Sequence, residues 1–143
     1  MDPDLWPEGS LEGVGAICSK GLTLAPRLGN PGCRIMETYS GVLNSIGLQN
    51  FGVKRFLAEE LPALGDAGKP VIVNVAFETL EDLANALAEL KTVAASITAL
   101  ELNVSCPNVS RGGMTWGIQS DTLSSAITVS REAWDGALWV KLC

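Results

Sequence analysis

Four short apolar runs punctuate this chain. They are Gly13 to Ser19 (with Val14, Ala16, Ile17 and Cys18), Pro70 to Ala76, Ala99 to Val104, and Ala137 to Leu142. Each is rich in Val, Ile, Leu or Ala and too short for a helix, so each predicts a strand; near-continuous runs of this kind suit strands buried on both faces, as in parallel sheets. Between them the period changes. Leu80, Leu83, Ala84, Leu87 and Leu90 recur at helical spacing behind a Thr79/Asp82 capping start, which predicts a helix with one apolar stripe. A second, weaker helix is predicted from a Ser120 or Asp121 cap through Leu123, Ala126, Ile127 and Val129. A third covers Phe51 to Leu64, where Pro62 should end or bend it. Strands alternating with helices imply a parallel α/β architecture. Leu22 to Asn50 breaks the rhythm. It is long, rich in Gly and Pro and poor in helical periodicity, and loops of that length are usually functional or disordered.

Polar residues interrupt the strands at corresponding places. Lys20 follows the first run, Asn74 sits within the second, Asn103 and Cys106 close the third, and Lys141 lies within the fourth. In a parallel sheet all the carboxyl ends lie on one side, so these groups are expected to converge where such folds bind ligands. Lysine between Val140 and Leu142 is costly unless it meets an anion or an acceptor. Cys106 reads in either of two ways: as a small core residue, the common state of free cysteine, or as part of a site. Asn103 and Asn108, within three positions of the thiol, favour the site, because buried amides need partners. Asn44 to Asn50 (Asn-Ser-Ile-Gly-Leu-Gln-Asn) and Arg111-Gly112-Gly113-Met114 read as turn and loop segments that neighbouring chemistry could use.

Bulk properties then exclude several classes. The 143 residues are 47% hydrophobic, enough for a single-domain core. A net charge of −6 argues against a nucleic-acid surface. The chain contains no histidine, which removes Ser-His-Asp and Cys-His nucleophile systems and imidazole zinc sites. Acid–base work must fall to Cys, Lys, Asp, Glu or Tyr. The four cysteines form no Cys-x-x-Cys pair, and no metal site is expected. No apolar run has the length of a membrane span, and Met1-Asp2-Pro3-Asp4 lacks a signal-peptide pattern, so the expected compartment is the cytoplasm. There is no Gly-x-Gly-x-x-Gly or Walker loop.

Taken in order, Lys20-Gly21-Leu22-Thr23, Asn44 to Asn50, Val71 to Ala76, Glu101 to Asn108 with Gly112-Gly113, and Val140-Lys141-Leu142 resemble the dihydroorotate dehydrogenases, most closely the class 1B type. Cysteine at 106, where class 2 enzymes place serine, and asparagine at 108, where dihydropyrimidine dehydrogenases typically carry histidine, support that placement. The resemblance implies a partial (β/α)8 TIM barrel, about strands 2 to 5, formed by residues 1–143 as one domain that lacks the family's first strand and last three strands. It implies FMN as cofactor and oxidation of dihydroorotate to orotate, with Cys106 as the base. Substrate would be held by Lys20, Asn44, Ile46, Gly47, Leu48, Asn103 and Asn108, and flavin by Ser19, Lys20, Asn74, Asn103 and Lys141. The loop from Asn108 to Gly117 would cover the site. An iron–sulfur/FAD electron-transfer subunit and homodimerisation are implied for a full-length parent. The family's FMN phosphate loops belong to the later strands, so the isolated chain is expected to be inactive. Alternative readings are a paralogue acting only through protein association and a related flavin-dependent dihydropyrimidine oxidoreductase. Tyr39-Ser40 and Trp116 depart from the family pattern.

Overall fold

The computed structural model describes residues 10–105 and 115–142. Four strands form one all-parallel sheet: β1 (Ile17–Cys18), β4 (Val71–Val75), β5 (Ala99–Asn103) and β6 (Ala137–Lys141), in that spatial order. Each neighbour in space is the next of these strands in the chain, so every crossover steps the sheet in the same direction. Three of the four expected strands fall within a residue or two of their predicted limits. The first does not. Only Ile17 and Cys18 of Gly13 to Ser19 join the ladder, because Gly13 takes a left-handed φ of +74° and the chain enters from a turn.

The alternation of side chains on each strand sets the layers. Val71, Val73 and Val75 of β4, with Leu100 and Leu102 of β5 and Val104 beyond it, are buried on one face. Against them pack Leu83, Leu87 and Leu90 of α3 (Leu80–Lys91) and, after the single turn α4 (Thr115–Ile118), Ala126 of α5 (Ser120–Ala133). Thr79 caps α3 as its sequence predicts, its hydroxyl accepting from the Asp82 N–H at 3.0 Å, which contributes about 1 kcal/mol. The cap expected of Ser120 or Asp121 on α5 does not form: Gln119 is the N-cap, its side chain accepts from no first-turn N–H, and Ser120 already lies inside the helix. The opposite face of the sheet was expected to be buried too, but Trp139 on β6 is 49% exposed and Ala137 is exposed. Polar groups therefore occupy a face that reaches solvent.

The Phe51 to Leu64 helix is three pieces: α1 (Gly52–Arg55), a π-helical turn at Phe56–Glu60, and α2 (Leu61–Asp66) with Pro62 in its first turn. Pro62 has no N–H to offer the carbonyl four residues back and its ring crowds that carbonyl. The helix widens before the proline and continues past it, rather than ending there. Phe56, Leu61 and Leu64 are buried against the core.

The long connection is more ordered than its composition suggests. It contains an antiparallel hairpin, β2 (Ile35–Thr38) and β3 (Gly41–Asn44), in which Thr38 pairs with Gly41. Its ends are clasped by Asn50. The buried Asn50 side chain accepts from the N–H groups of Thr23 (3.2 Å) and Gly52 (2.9 Å) and donates to the Leu48 carbonyl (2.9 Å). The turn before it needs left-handed backbone at two successive residues, Gly47 (φ +75°) and Leu48 (φ +56°). A Cβ at Gly47 would lie 2.6 Å from the Asn30 backbone nitrogen, so the glycine is required on both counts. Gly47→Ala is expected to cost more than about 2 kcal/mol of stability, read as a lowered urea midpoint with unchanged slope. A shift under a few tenths of a kcal/mol would contradict this turn geometry.

Candidate functional site

A bulge at the end of β1 builds one wall of the site. Ser19 N–H donates to the Ile72 carbonyl at 2.8 Å, and the ladder resumes with Leu22 N–H to the Asn74 carbonyl at 2.9 Å. Between them the Asn74 N–H is met by the Ser19 hydroxyl, at 3.0 Å, in place of a backbone carbonyl. Lys20 and Gly21 are thus lifted out of register without leaving a β4 donor unpaired. The displaced Gly21 lies hard against the neighbouring strand: a Cβ there would come within 2.7 Å of Leu48 Cδ1 and 3.1 Å of Asn74 Oδ1. Lys20 shares a cleft of about 390 Å³ with Leu22, Ile46, Gln49, Asn50, Phe51, Phe56 and Glu60.

On the solvent-reaching face of the sheet the strand register sets Asn74 beside Glu101 and Asn103 beside Lys141. These side chains form a chain of hydrogen bonds. Asn74 Nδ2 donates to Glu101 Oε1 at 2.5 Å, Asn103 Nδ2 donates to Asn74 Oδ1 at 3.3 Å, and Asn103 Oδ1 accepts from Ser105 N–H at 3.4 Å and its hydroxyl at 3.3 Å. Asn74 is buried, and Glu101 and Asn103 are half-buried. Cys18 Sγ stands 4.0 Å from Glu101 Oε1. Partial burial pushes the Cys18 thiol above its ordinary pKa, the Glu101 charge adds to that, and the Lys141 ammonium opposes it. Glu101→Gln removes the negative neighbour, so the Cys18 pKa should fall. Its alkylation by iodoacetamide at pH 8 should then quicken a few-fold, followed by peptide mass spectrometry. An unchanged or slower rate would contradict the Cys18–Glu101 proximity.

The structure therefore sets Ser19, Asn74, Asn103 and Lys141 at the carboxyl edge, with Lys20 at the end of β1 beside the cleft and Gly21 packed too close to Leu48 and Asn74 to carry a side chain without displacing them. Ile46 joins Lys20 in the cleft, and Gly47 and Leu48 form its adjoining turn. Asn44 stands apart: it ends β3, is exposed, and its side chain makes no hydrogen bond among the described residues. Cys106 and Asn108, and the loop from Asn108 as far as Met114, lie outside the described residues. Beside that segment Trp116 packs on Phe77 with ring centroids 5.3 Å apart, and its indole N–H is buried without a partner among the described residues. Sequence reasoning missed Glu101, Ser105 and Cys18. For Glu101 a signal existed: an acidic residue at the inward position of an otherwise apolar strand. Among the described residues no group of three or more His, Cys, Asp or Glu side chains could hold a metal ion, and no helix is long and apolar enough to cross a membrane.

Consecutive parallel β/α units with their polar side chains gathered at the carboxyl edge define an α/β barrel type of chain. A solved structure of a DHODH from Eimeria tenella, in complex with ferulenol, superposes on 86% of this chain and 41% of that one, with a TM-score of 0.63 at 20% identity, which establishes the fold as that of a partial barrel. The dihydroorotate dehydrogenase family model matches residues 6–143, and the chain belongs to that family. The dihydroorotate dehydrogenase B (NAD(+)) catalytic subunit of Geobacter sulfurreducens is 44% identical over 133 residues, covering 93% of this chain. The subunit of the same name from Solidesulfovibrio magneticus is 44% identical over 138 residues, covering 95%. The chain spans 43% and 44% of the lengths of these two relatives.

Proposed function

We propose that this chain supplies the proton-abstracting and part of the ring-binding machinery of an FMN-dependent dihydroorotate dehydrogenase, which oxidises dihydroorotate to orotate in pyrimidine biosynthesis. The observation that carries this reading is the convergence of Ser19, Lys20, Asn74, Asn103 and Lys141 on one strand-end face. The amide and ammonium donors of that set suit a flavin and a pyrimidine carboxylate, both rich in oxygen acceptors, while the Ser19 hydroxyl donates to the Lys20 carbonyl at 3.0 Å. Asn103 keeps a second N–H free of partners among the described residues, and Lys20 and Lys141 place cations on either side of it along the sheet.

In this reading Ser19, Lys20, Asn74, Asn103 and Lys141 would hold FMN, and the Lys141 ammonium would offset the negative charge that its ring gains on reduction. The chemistry FMN would supply is acceptance of a hydride from C6 of dihydroorotate. Cys106 takes the proton from C5. With no histidine in the chain, a thiol is a sensible base, since an ordinary thiol ionises near pH 8.5. Asn103 and Asn108 would hydrogen-bond the pyrimidine ring and its carboxylate, with Ile46, Gly47 and Leu48 lending backbone groups; Asn44, exposed at the end of β3, falls outside this set. Lys20 neutralises charge next to both ligands. The relatives are named catalytic subunits, and an iron–sulfur/FAD subunit is the proposed electron-accepting partner.

The test is a graft. The matched segment of the Geobacter sulfurreducens catalytic subunit is replaced by this chain, and anaerobic bleaching of bound flavin by dihydroorotate is followed. The expected result is bound FMN that bleaches on addition of dihydroorotate, with orotate formed in equal amount. A graft that folds and binds FMN but is not reduced by dihydroorotate would overturn the proposal. The 143-residue chain alone is expected not to support bleaching, because its polar face is open to water at Trp139.

A further inference from the structure

Glu101 lies outside the ligand-holding set proposed above, yet it begins the hydrogen-bond chain that runs to Ser105. A carboxylate only accepts, so Asn74 must turn its NH2 towards Glu101 and its Oδ1 away. That oxygen can then be satisfied only by a donor, which obliges Asn103 to offer it Nδ2. At the far end a backbone N–H only donates, so Ser105 requires Asn103 to present Oδ1. Both ends demand the same polarity. Either amide, taken alone, could sit flipped by half a turn; the chain between a fixed acceptor and a fixed donor cannot.

We propose that Glu101 is a positioning residue that acts through Asn74 to set the amide polarity of Asn103, so that Asn103 presents a free N–H, and not a carbonyl oxygen, to an oxygen acceptor of the ligand. The identity of that ligand rests on the proposed function; the polarity itself does not. The consequence is selectivity for a carboxylate or carbonyl oxygen at this point of the site over a donor such as an amino group. Burial of Asn74 makes the arrangement rigid, because a buried amide that lost Glu101 would have to find a new acceptor or rotate.

The full chain, labelled with nitrogen-15, reports this through the side-chain NH2 resonances of Asn74 and Asn103. E101M, close in shape but without an acceptor, should move both pairs of resonances, including those of Asn103, which Glu101 does not touch. E101Q, whose oxygen can still accept, should restore them to near their original positions. An Asn103 pair unmoved in a folded E101M protein, or an E101Q spectrum as altered as that of E101M, overturns the relay. Should E101M fail to fold, exchange in the unaltered chain decides: an Asn74 side-chain amide exchanging as fast as free asparagine sinks the idea, and one slowed at least tenfold supports it. In the graft, E101M should weaken orotate binding about tenfold while E101Q stays within about threefold. Unchanged orotate affinity in E101M refutes the presented donor. An unaltered graft that does not bind orotate refutes the proposed function and the ligand half of this inference, and the amide spectra judge the role of Glu101 separately.

Discussion

Cys106→Ala in the grafted enzyme is expected to slow flavin reduction by dihydroorotate by about 10²–10⁴-fold, the usual worth of a positioned general base. Orotate affinity should stay within a few-fold, since the product has lost the proton that the base removes. Within this chain there is no histidine to take over. Cys106→Ser should retain more activity than alanine, but only at higher pH, because a hydroxyl is a far weaker acid than a thiol. The unaltered protein should reduce its flavin faster as pH rises, because the thiolate is the form that can accept the proton. Rapid-mixing absorbance at the flavin band, across pH 6 to 10, measures both. A flavin reduction rate within threefold of the parent in Cys106→Ala would remove the thiol from the mechanism and leave only the binding role of its neighbours.

The parallel sheet was legible in the sequence because each of β4, β5 and β6 carries its own signal: a short, mainly apolar run of strand length, followed or preceded by a helical period. The α3 cap was legible for a similar reason, since Thr79 and Asp82 satisfy a rule of local chemistry that tertiary structure did not override. The hairpin β2–β3 was missed although Ile35-Met36 and Val42-Leu43 flank a two-residue turn, because its apolar side chains are not core: Ile35, Met36, Val42 and Leu43 are each about 60% exposed. The shortness of β1 was invisible for a different reason. Its registry is interrupted by a side-chain hydroxyl standing in for a backbone carbonyl, and no periodicity encodes that exchange.

The same contrast applies to the site. Lys20, Asn74, Asn103 and Lys141 announced themselves as polar residues in apolar strands, and parallel pairing then brought them to one edge. Glu101 had the same signature but was passed over, because its function emerges only from the cross-strand register that sets it beside Asn74. Asn50 was grouped with a substrate-binding turn. Its buried side chain instead holds that turn closed, a structural duty its sequence neighbours do not reveal.

Two consecutive residues of β5 should separate stability from function. Leu102 is fully buried on the helix-facing side, and Leu102→Ala is expected to cost about 2–5 kcal/mol through lost burial and an incompletely collapsed cavity. Asn103 points the other way and is half-buried, so Asn103→Ala removes three weak, long hydrogen bonds and should cost about 1–2 kcal/mol. The functional order reverses. The grafted Leu102→Ala protein, assayed well below its unfolding midpoint, should bind orotate within a few-fold of the parent, whereas Asn103→Ala should weaken binding at least tenfold by deleting the presented N–H. Urea denaturation and orotate titration on the same two preparations give the comparison. If both variants lose stability and affinity in parallel, the two faces of β5 are not independent, and the division of this sheet into a packing side and a chemical side fails.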